Sequence, residues 1–209
     1  MRTIICISIA ILGMSLAFTL FLLLFYRNKR KSFGSILSNT QGDGGIITFS
    51  YSDLRCATKN FSEILGVGGF GSVFKGFLNQ SSTTIAVKRL DGACQGEKQF
   101  RAEVSSIGII QHINLVKLIG FCCEGSKRLL VYEHMPNGSL DAHLFHDKAT
   151  ELKWSTRYRI SLGFAKGLAY LHHSCQECII HCDIKPQNIL LDASFVPKVA
   201  DFRMAKFLG

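Results

Sequence analysis

The feature that most constrains this chain is an uncharged, apolar stretch near its amino terminus, residues 4–26. At about 1.5 Å per residue, a helix of this length spans roughly the 30 Å hydrocarbon core of a bilayer. Only Arg2 and the amino terminus precede the stretch, whereas a basic segment, residues 27–31, follows it directly. Because positively charged flanks stay in the cytoplasm, the pattern predicts a single transmembrane helix followed by a cytoplasmic domain. A secretory signal peptide is the alternative interpretation.

The net charge of +9 does not by itself indicate nucleic-acid binding. Part of the excess lies in the basic segment, and the other basic residues are interspersed with acidic ones. A basic cluster beside a membrane helix attracts anionic headgroups. We therefore expect membrane lipid as a partner and no nucleic acid.

The eight cysteines are expected to be free thiols, because the predicted orientation places the domain in the reducing cytosol and only Cys6 in the membrane. Cys175 and Cys178 lie near three histidines, among them His181. Thiolate and imidazole at such spacing suit tetrahedral zinc, so a zinc site is the alternative interpretation.

The rest of the chain divides by composition. Residues 32–45 are rich in Ser, Gly, Asn and Gln, which indicates a flexible linker. A short helix is predicted after a cap at Ser52. We assign a transmembrane helix to residues 4–26, a basic juxtamembrane segment and linker to 27–60, and a folded domain to 61–209.

Within the folded domain, a strand-rich part precedes a helix-rich part. Short β-rich runs predict an antiparallel sheet over residues 64–133, interrupted by one helix at 97–110. Four of these runs are residues 72–75, 83–88, 115–119 and 129–132. Residues 135–209 favour helices instead. The expected fold class is therefore α+β with two lobes.

The predicted helices of the second lobe are residues 139–145 and 155–173. The longer one carries an apolar stripe at the helical period, which includes Ile160 and Leu168.

A glycine-rich motif opens the domain, with Gly66, Gly68, Gly71 and Val73 in the spacing G-x-G-x-x-G-x-V. Positions without side chains let backbone amides approach phosphate oxygens. A dinucleotide-binding fold would place a helix after the motif and an acidic ribose partner further on. Here a strand continues after Gly71, so the context favours a β-hairpin lid.

The next strand separates two kinds of side chain. Ala86 and Lys88 point to one face of it and Ile85 and Val87 to the other. A small residue beside a cation suits an adenine ring and a phosphate, although a solvated lysine is the alternative. Glu103 favours the first interpretation, because a carboxylate on the apolar stripe of a helix needs a buried partner such as Lys88.

The densest polar cluster is the segment His181-Cys-Asp-Ile-Lys-Pro-Gln-Asn188, followed by Asp201-Phe202. Together with the glycine motif, the strand lysine and the helix glutamate, it resembles the signature set of protein kinases. The resemblance implies that Asp183 accepts the substrate hydroxyl proton, while Asn188 and Asp201 hold Mg²⁺. Lys185 would support the transferred phosphoryl group, as in serine/threonine kinases.

The segment at residues 129–140 resembles the hinge of plant receptor-like kinases. Over residues 48–209 the chain is similar to G-type lectin S-receptor-like serine/threonine kinases. This resemblance implies a bilobal protein-kinase fold, with five strands and one helix over residues 61–134 and a partial helical lobe over residues 135–209. The resemblance makes Tyr132 the gatekeeper and places catalytic support at Lys88 and Glu103. It implies an ATP site formed by Leu65, Gly66, Gly68, Gly71, Val73, Ala86, Lys88, Tyr132, Glu133, Met135 and Leu190.

Three features depart from the family pattern. Cys182 stands where many kinases have the arginine that pairs with a phosphorylated activation loop. Arg203 occupies the glycine position of the Asp-Phe-Gly motif and adds bulk where a flexible backbone is expected. Because Gly209 comes before the activation segment and Ala-Pro-Glu motif of the family, and only three residues precede the apolar stretch, we expect a truncated kinase domain and no lectin-type ectodomain.

The resulting hypothesis is a single-pass plasma-membrane serine/threonine kinase that transfers the γ-phosphate of Mg-ATP to protein hydroxyls. Its expected partners are ATP, a protein substrate, membrane lipid and full-length receptor-like kinases. The alternative is a catalytically impaired nucleotide-binding or decoy module, favoured by Arg203 and the early end of the domain. A third possibility is a fragment that folds poorly because apolar surface is exposed.

Overall fold

The computed structural model divides the chain into two compact units, Met1–Gly45 and Ile46–Gly209. It describes Thr19 and residues 45–208 apart from 69–70, 79–82, 91–92, 109, 147–151 and 176. The predicted transmembrane helix lies outside the described residues, except for Thr19. Among the described residues, no helix is both long and apolar enough to cross a membrane.

The second unit opens with a six-stranded sheet in the order β1-β5-β6-β4-β3-β2. Its strands are β1 (Ile47–Thr48), β2 (Ile64–Gly68), β3 (Gly71–Leu78), β4 (Thr83–Leu90), β5 (Leu118–Cys122) and β6 (Leu129–Glu133). The predicted antiparallel sheet of five strands over residues 61–134 is confirmed, as β2 to β6. The additional strand, β1, pairs in parallel with β5 and is only two residues long, too short for any hydrophobic period.

A short helix, α1 (Tyr51–Ala57), fixes the entry to this sheet. Its cap is Ser50, two residues before the predicted Ser52, and the Ser50 side chain accepts a hydrogen bond from the Asp53 backbone N–H at 3.1 Å. Leu54 is fully buried in a cluster with Ile85 and Val87 of β4. The segment from Ile46 onward therefore packs as part of the compact unit, ahead of residue 61.

The two faces of β4 differ as its alternation predicts. Ile85 and Val87 are fully buried in the core, whereas Ala86 and Lys88 on the opposite face are partly exposed. The second helix, α2 (Ala93–Ile107), covers another part of the sheet lobe with Phe100 and further apolar side chains buried. It begins earlier and ends earlier than the predicted 97–110, and Gly108 follows its last residue.

The second lobe is built on α3 (Trp154–His173), which confirms the predicted long helix. Two small antiparallel sheets follow, one joining β7 (Cys178–Ile180) to β10 (Lys206–Leu208) and one joining β8 (Ile189–Leu191) to β9 (Pro197–Val199). The predicted short helix at 139–145 is instead a bridge at Ser139 followed by a π-helix, Ala142–His146.

The segment before β5 connects the two lobes. The predicted strand at 115–119 is wrong in its first residues, because Leu115 forms a bridge with Val199 rather than joining the large sheet. Asn114 accepts a hydrogen bond from the Val199 N–H at 2.9 Å. A Cβ on Gly163 of α3 would lie 2.9 Å from the Asn114 side chain, so glycine allows this close approach. These contacts fix β9, and with it the residues that follow β9.

We expect Leu54→Ala to lower the free energy of unfolding by about 2–5 kcal/mol, because it empties a fully buried site in the core. The matched variant Leu162→Ala, whose side chain is 45% exposed on α3, should cost at most about 1 kcal/mol. Urea unfolding of the chain measures both. Equal costs would contradict the placement of α1 in the core.

Candidate active site

The glycine motif lies at the turn between two antiparallel strands. Gly66 pairs with Val73 and Gly68 pairs with Gly71 across β2 and β3, which confirms a β-hairpin and excludes the strand-then-helix context of a dinucleotide site. A Cβ on Gly71, whose φ is +134°, would lie 2.0 Å from the Arg89 carbonyl oxygen, so this position requires glycine. A Cβ on Gly66 or Gly68 would meet nothing within 4 Å, which leaves that strand surface open.

A buried ion pair lies beneath the sheet. The Lys88 Nζ contacts Glu103 Oε1 at 2.5 Å, and the Glu103 side chain is 1% exposed. The Tyr132 hydroxyl donates a short hydrogen bond to the other oxygen of the same carboxylate. Burial and the neighbouring Glu103 raise the pKa of Tyr132 well above its ordinary value, so the hydroxyl stays protonated as a donor. The predicted pairing of Lys88 with Glu103 is confirmed.

Lys88 also reaches the second lobe. Its Nζ lies 3.3 Å from Asp201 Oδ1. Burial opposes the charged amine, but Glu103 and Asp201 outweigh this and raise the pKa of Lys88. Asp201 follows β9 with φ 67°, a left-handed conformation that is uncommon for a residue with a side chain. One lysine therefore links β4, α2 and the turn after β9.

Asp183 lies at the centre of a cluster of hydrogen-bond donors. Its Oδ2 accepts from Lys185 Nζ at 3.0 Å, from Asn188 Nδ2 at 3.1 Å and from Arg203 Nη2 at 3.0 Å. The hydrogen bond from Lys185 contributes most to lowering the pKa of Asp183 to about 2, against a smaller opposing effect of burial. Asp183 is thus ionised at neutral pH. Its Oδ1 accepts no hydrogen bond from any described residue.

His181 positions the two aspartates through its ring nitrogens. Nδ1 accepts from the Asp183 N–H at 3.3 Å, so the ring proton is on Nε2, which donates to the Ala200 carbonyl at 2.9 Å. Burial lowers the pKa of His181, which favours this neutral form. The ring also packs edge-on against Phe202 at 4.9 Å. From the sequence, His181 is apparent only as part of the motif, because residue spacing does not indicate this bridging role.

The contacts of His181 also bear on the zinc alternative. Both of its ring nitrogens bond to the chain itself, at Asp183 and Ala200. Across the described residues, no three His, Cys, Asp or Glu side chains are grouped as they would be to hold a metal ion. Cys175 and Cys178 are free thiols. The structure therefore gives the zinc interpretation no support.

Arg203 makes contacts with both aspartates that its position in the motif does not predict. Its Nη2 lies 3.0 Å from Asp183 Oδ2 and 3.3 Å from Asp201 Oδ2. From the sequence, Arg203 is predicted only to add bulk and to restrict the backbone, because motif spacing does not show where a side chain points. The structure places a guanidinium between the two aspartates of the motif set.

The residues predicted to contact adenine lie on several elements. Ala86 is the register partner of Tyr132, and Val73 is the register partner of Lys88. Leu65 lies on β2 beside a register shift and is 44% exposed. These five residues, which are predicted to contact ATP, therefore lie on the adjacent strands β2, β3, β4 and β6.

The hinge residues connect to the second lobe. The Gly138 N–H donates to the Met135 carbonyl at 3.1 Å, and Ser139 forms a bridge with Leu190 of β8. Glu133 accepts from Lys198 Nζ at 2.8 Å, so its side chain is bound to β9. The loop after β6 is therefore attached to β8, the strand that carries Leu190.

The donor set fits Mg²⁺ by chemical type. Asn188 supplies an amide and Asp201 a carboxylate, and hard oxygen ligands of these kinds suit this cation. Both oxygens of Asp201 already contact a cation, Oδ1 with Lys88 and Oδ2 with Arg203. Mg²⁺ would therefore share or take over the carboxylate oxygen that contacts Arg203.

The known proteins that this chain resembles are protein kinases. A family model described as protein tyrosine and serine/threonine kinase matches residues 60–208. The chain is 65% identical over 172 residues to a G-type lectin S-receptor-like serine/threonine-protein kinase of Arabidopsis thaliana, covering 81% of the chain and 21% of the relative. It is 51% identical to another, SD2-2, covering 97% of the chain and 25% of the relative.

A third Arabidopsis thaliana relative, cysteine-rich receptor-like protein kinase 36, is 50% identical over 94% of the chain and 31% of its own length. The chain thus spans about a fifth to a third of the length of these relatives. The family model covers the glycine hairpin, the Lys88–Glu103 pair and both aspartates. On this evidence, the chain belongs to the protein tyrosine and serine/threonine kinase family.

Proposed function

We propose that this chain binds Mg-ATP and transfers its γ-phosphate to serine or threonine hydroxyls of a protein. The observation that carries the proposal is the position of Lys88, which contacts Glu103 and Asp201 at once. This arrangement holds an ammonium group beside an acidic turn that suits Mg²⁺. It is the electrostatic setting that phosphoryl transfer requires.

The nucleotide part of the site rests on the first lobe. The open surface above Gly66 and Gly68 leaves room for phosphates to approach backbone amides. Lys88 is held by carboxylates, so its ammonium is fixed rather than free to rotate in solvent. The adenine ring would pack against Ala86 on the same face of β4.

The transfer part of the site rests on Asp183 and Lys185. The Oδ1 of Asp183, which accepts no hydrogen bond from a described residue, is available to orient a substrate hydroxyl. Lys185 Nζ lies 3.0 Å from the other oxygen, where its charge would support the phosphoryl group. Asn188 and Asp201 would hold Mg²⁺, which neutralises charge on the phosphates when bound.

A second candidate function is nucleotide binding without turnover. The observation that favours it is the contact of Arg203 with both aspartates. Beside Asp183, the arginine lowers the basicity of the carboxylate that would orient the hydroxyl. Beside Asp201, it competes with Mg²⁺ for a carboxylate oxygen. A module of this kind would act by associating with full-length receptor-like kinases.

We further propose that residues 4–26 anchor the chain in the plasma membrane with the kinase domain in the cytoplasm. The support is the uncharged apolar stretch followed by the basic segment 27–31, which is expected to contact anionic lipid. The similarity to SD2-2, a receptor-like kinase by its name, extends over 97% of the chain.

Activity measurements separate the two candidate functions. For the full chain with Mg-ATP, we expect binding by calorimetry and phosphorylation of a generic serine/threonine protein substrate. Lys88→Met should weaken ATP binding at least about tenfold, because it removes the buried ammonium group proposed to contact the phosphates. Asp183→Asn should leave binding within about threefold but reduce phosphorylation by roughly 10²–10⁴.

The matched control is Lys166→Met, which removes an exposed lysine from α3 and should change neither binding nor phosphorylation. Binding without phosphorylation by the unaltered chain would support the second candidate function. Loss of both in the unaltered chain would contradict the proposal of an ATP site.

Membrane fractionation tests the anchor. We expect the chain to stay in the membrane pellet after alkaline carbonate extraction, because a spanning helix resists this treatment. Leu12→Arg with Leu16→Arg should release it, since each central arginine costs about 2.5–3.5 kcal/mol of insertion free energy. The control pair Ile36→Arg and Leu37→Arg in the linker should have no effect. A mature chain that lacks residues 4–26 by mass spectrometry would show a cleaved signal peptide instead.

A further inference from the structure

The guanidinium of Arg203 lies between the carboxylates of Asp183 and Asp201. It contacts Asp183 Oδ2 at 3.0 Å and Asp201 Oδ2 at 3.3 Å from a single nitrogen. The Arg203 side chain is 13% exposed and each carboxylate is 18% exposed. In this partly dehydrated setting a charge pair is stronger than one at the open surface.

The backbone around Arg203 keeps the guanidinium near these carboxylates. Arg203 lies in a 3₁₀ turn, Phe202–Met204, which the Ala205 N–H closes with a hydrogen bond to the Phe202 carbonyl at 3.0 Å. Phe202 is 1% exposed and packs against His181. The buried ring on one side of Arg203 therefore fixes the turn, and the arginine is tethered at the acidic site.

Arg203 also changes the charge of the site. The bonded cluster contains three carboxylates and three cations: Glu103, Asp183, Asp201, Lys88, Lys185 and Arg203. The formal charges of this cluster cancel. With glycine at position 203 the same cluster would carry one net negative charge, which a divalent cation would have to offset before a triphosphate could approach.

We propose that Arg203, held in place by its turn, acts as the counter-ion of the Asp183 and Asp201 carboxylates. A nucleoside triphosphate therefore binds at this site without a divalent cation. This rests on the nucleotide binding proposed above. The guanidinium contributes a fixed positive charge and donors suited to phosphate oxygens. Mg²⁺ would have to share Asp201 Oδ2 with Arg203 or take it over, so Arg203 would set the metal dependence of the site.

The experiment measures the Kd of ATP for the full chain by calorimetry, in excess EDTA and in millimolar Mg²⁺. For the unaltered chain we expect the two values to agree within about threefold. For Arg203→Gly and for Arg203→Gln we expect Mg²⁺ to tighten binding at least about tenfold, or ~1.4 kcal/mol. Arg203→Lys keeps the charge and should stay close to the unaltered chain.

Two further measurements make the assignment specific. Arg159→Gln removes an exposed arginine from α3 and should leave the metal dependence of ATP binding unchanged. Titration with Mn²⁺ in the absence of nucleotide, followed by electron paramagnetic resonance, should show tighter binding by Arg203→Gly than by the unaltered chain. This readout is independent of catalysis.

The possible failures can be distinguished. If the unaltered chain binds ATP at least about tenfold more tightly with Mg²⁺ than in EDTA, the inference about Arg203 is overturned while the proposed nucleotide binding stands. Metal-independent binding by Arg203→Gly and Arg203→Gln would also overturn it, because the arginine would then be irrelevant. No ATP binding by the unaltered chain in either condition would overturn both proposals.

Discussion

The ion pair between Lys88 and Glu103 is the interaction on which the candidate site depends. A carboxylate that is 1% exposed is tolerable only because the ammonium and the Tyr132 hydroxyl satisfy its two oxygens. The same lysine contacts Asp201, so three elements that are distant in the sequence meet at one nitrogen. Removing either charge would leave the other buried, which explains why the sheet lobe and the turn after β9 are organised around it.

Much of this arrangement can be predicted from the sequence. The alternation of β4 separates Ile85 and Val87 from Lys88, because side chains on a strand alternate between faces. Glu103 stands out as a charge on an apolar helical stripe and requires a cation. The pairing follows from these two periodicities.

The features that could not be predicted have physical reasons. The strand β1 has two residues, too few for a period, and is defined only by its pairing with β5. Leu115 lies in an apolar run that suits a strand, yet it bridges Val199 because the chain crosses between lobes there. The contacts of Arg203 depend on side-chain direction in a turn, which motif spacing does not encode. Its basic charge two residues after Asp201 was the only available signal.

Membership of the kinase family does not by itself make this chain catalytically active. The order of motifs and the similarity to receptor-like kinases establish the family. With the roles proposed above for Asp183 and Asp201, activity depends on whether they can engage substrate and metal while Arg203 contacts both. The two candidate functions share one nucleotide site and differ only in what this arginine permits.

Covalent labelling with an acyl-phosphate derivative of ATP tests the site most directly, because this reagent acylates lysines that lie beside bound phosphates. Mass spectrometry of the labelled chain should find Lys88 modified, with the modification suppressed by excess ATP. Lys166, exposed on α3, should show only weak labelling that ATP does not suppress. Labelling of Lys88 that ATP leaves unchanged would contradict a phosphate site at the Lys88–Glu103 pair.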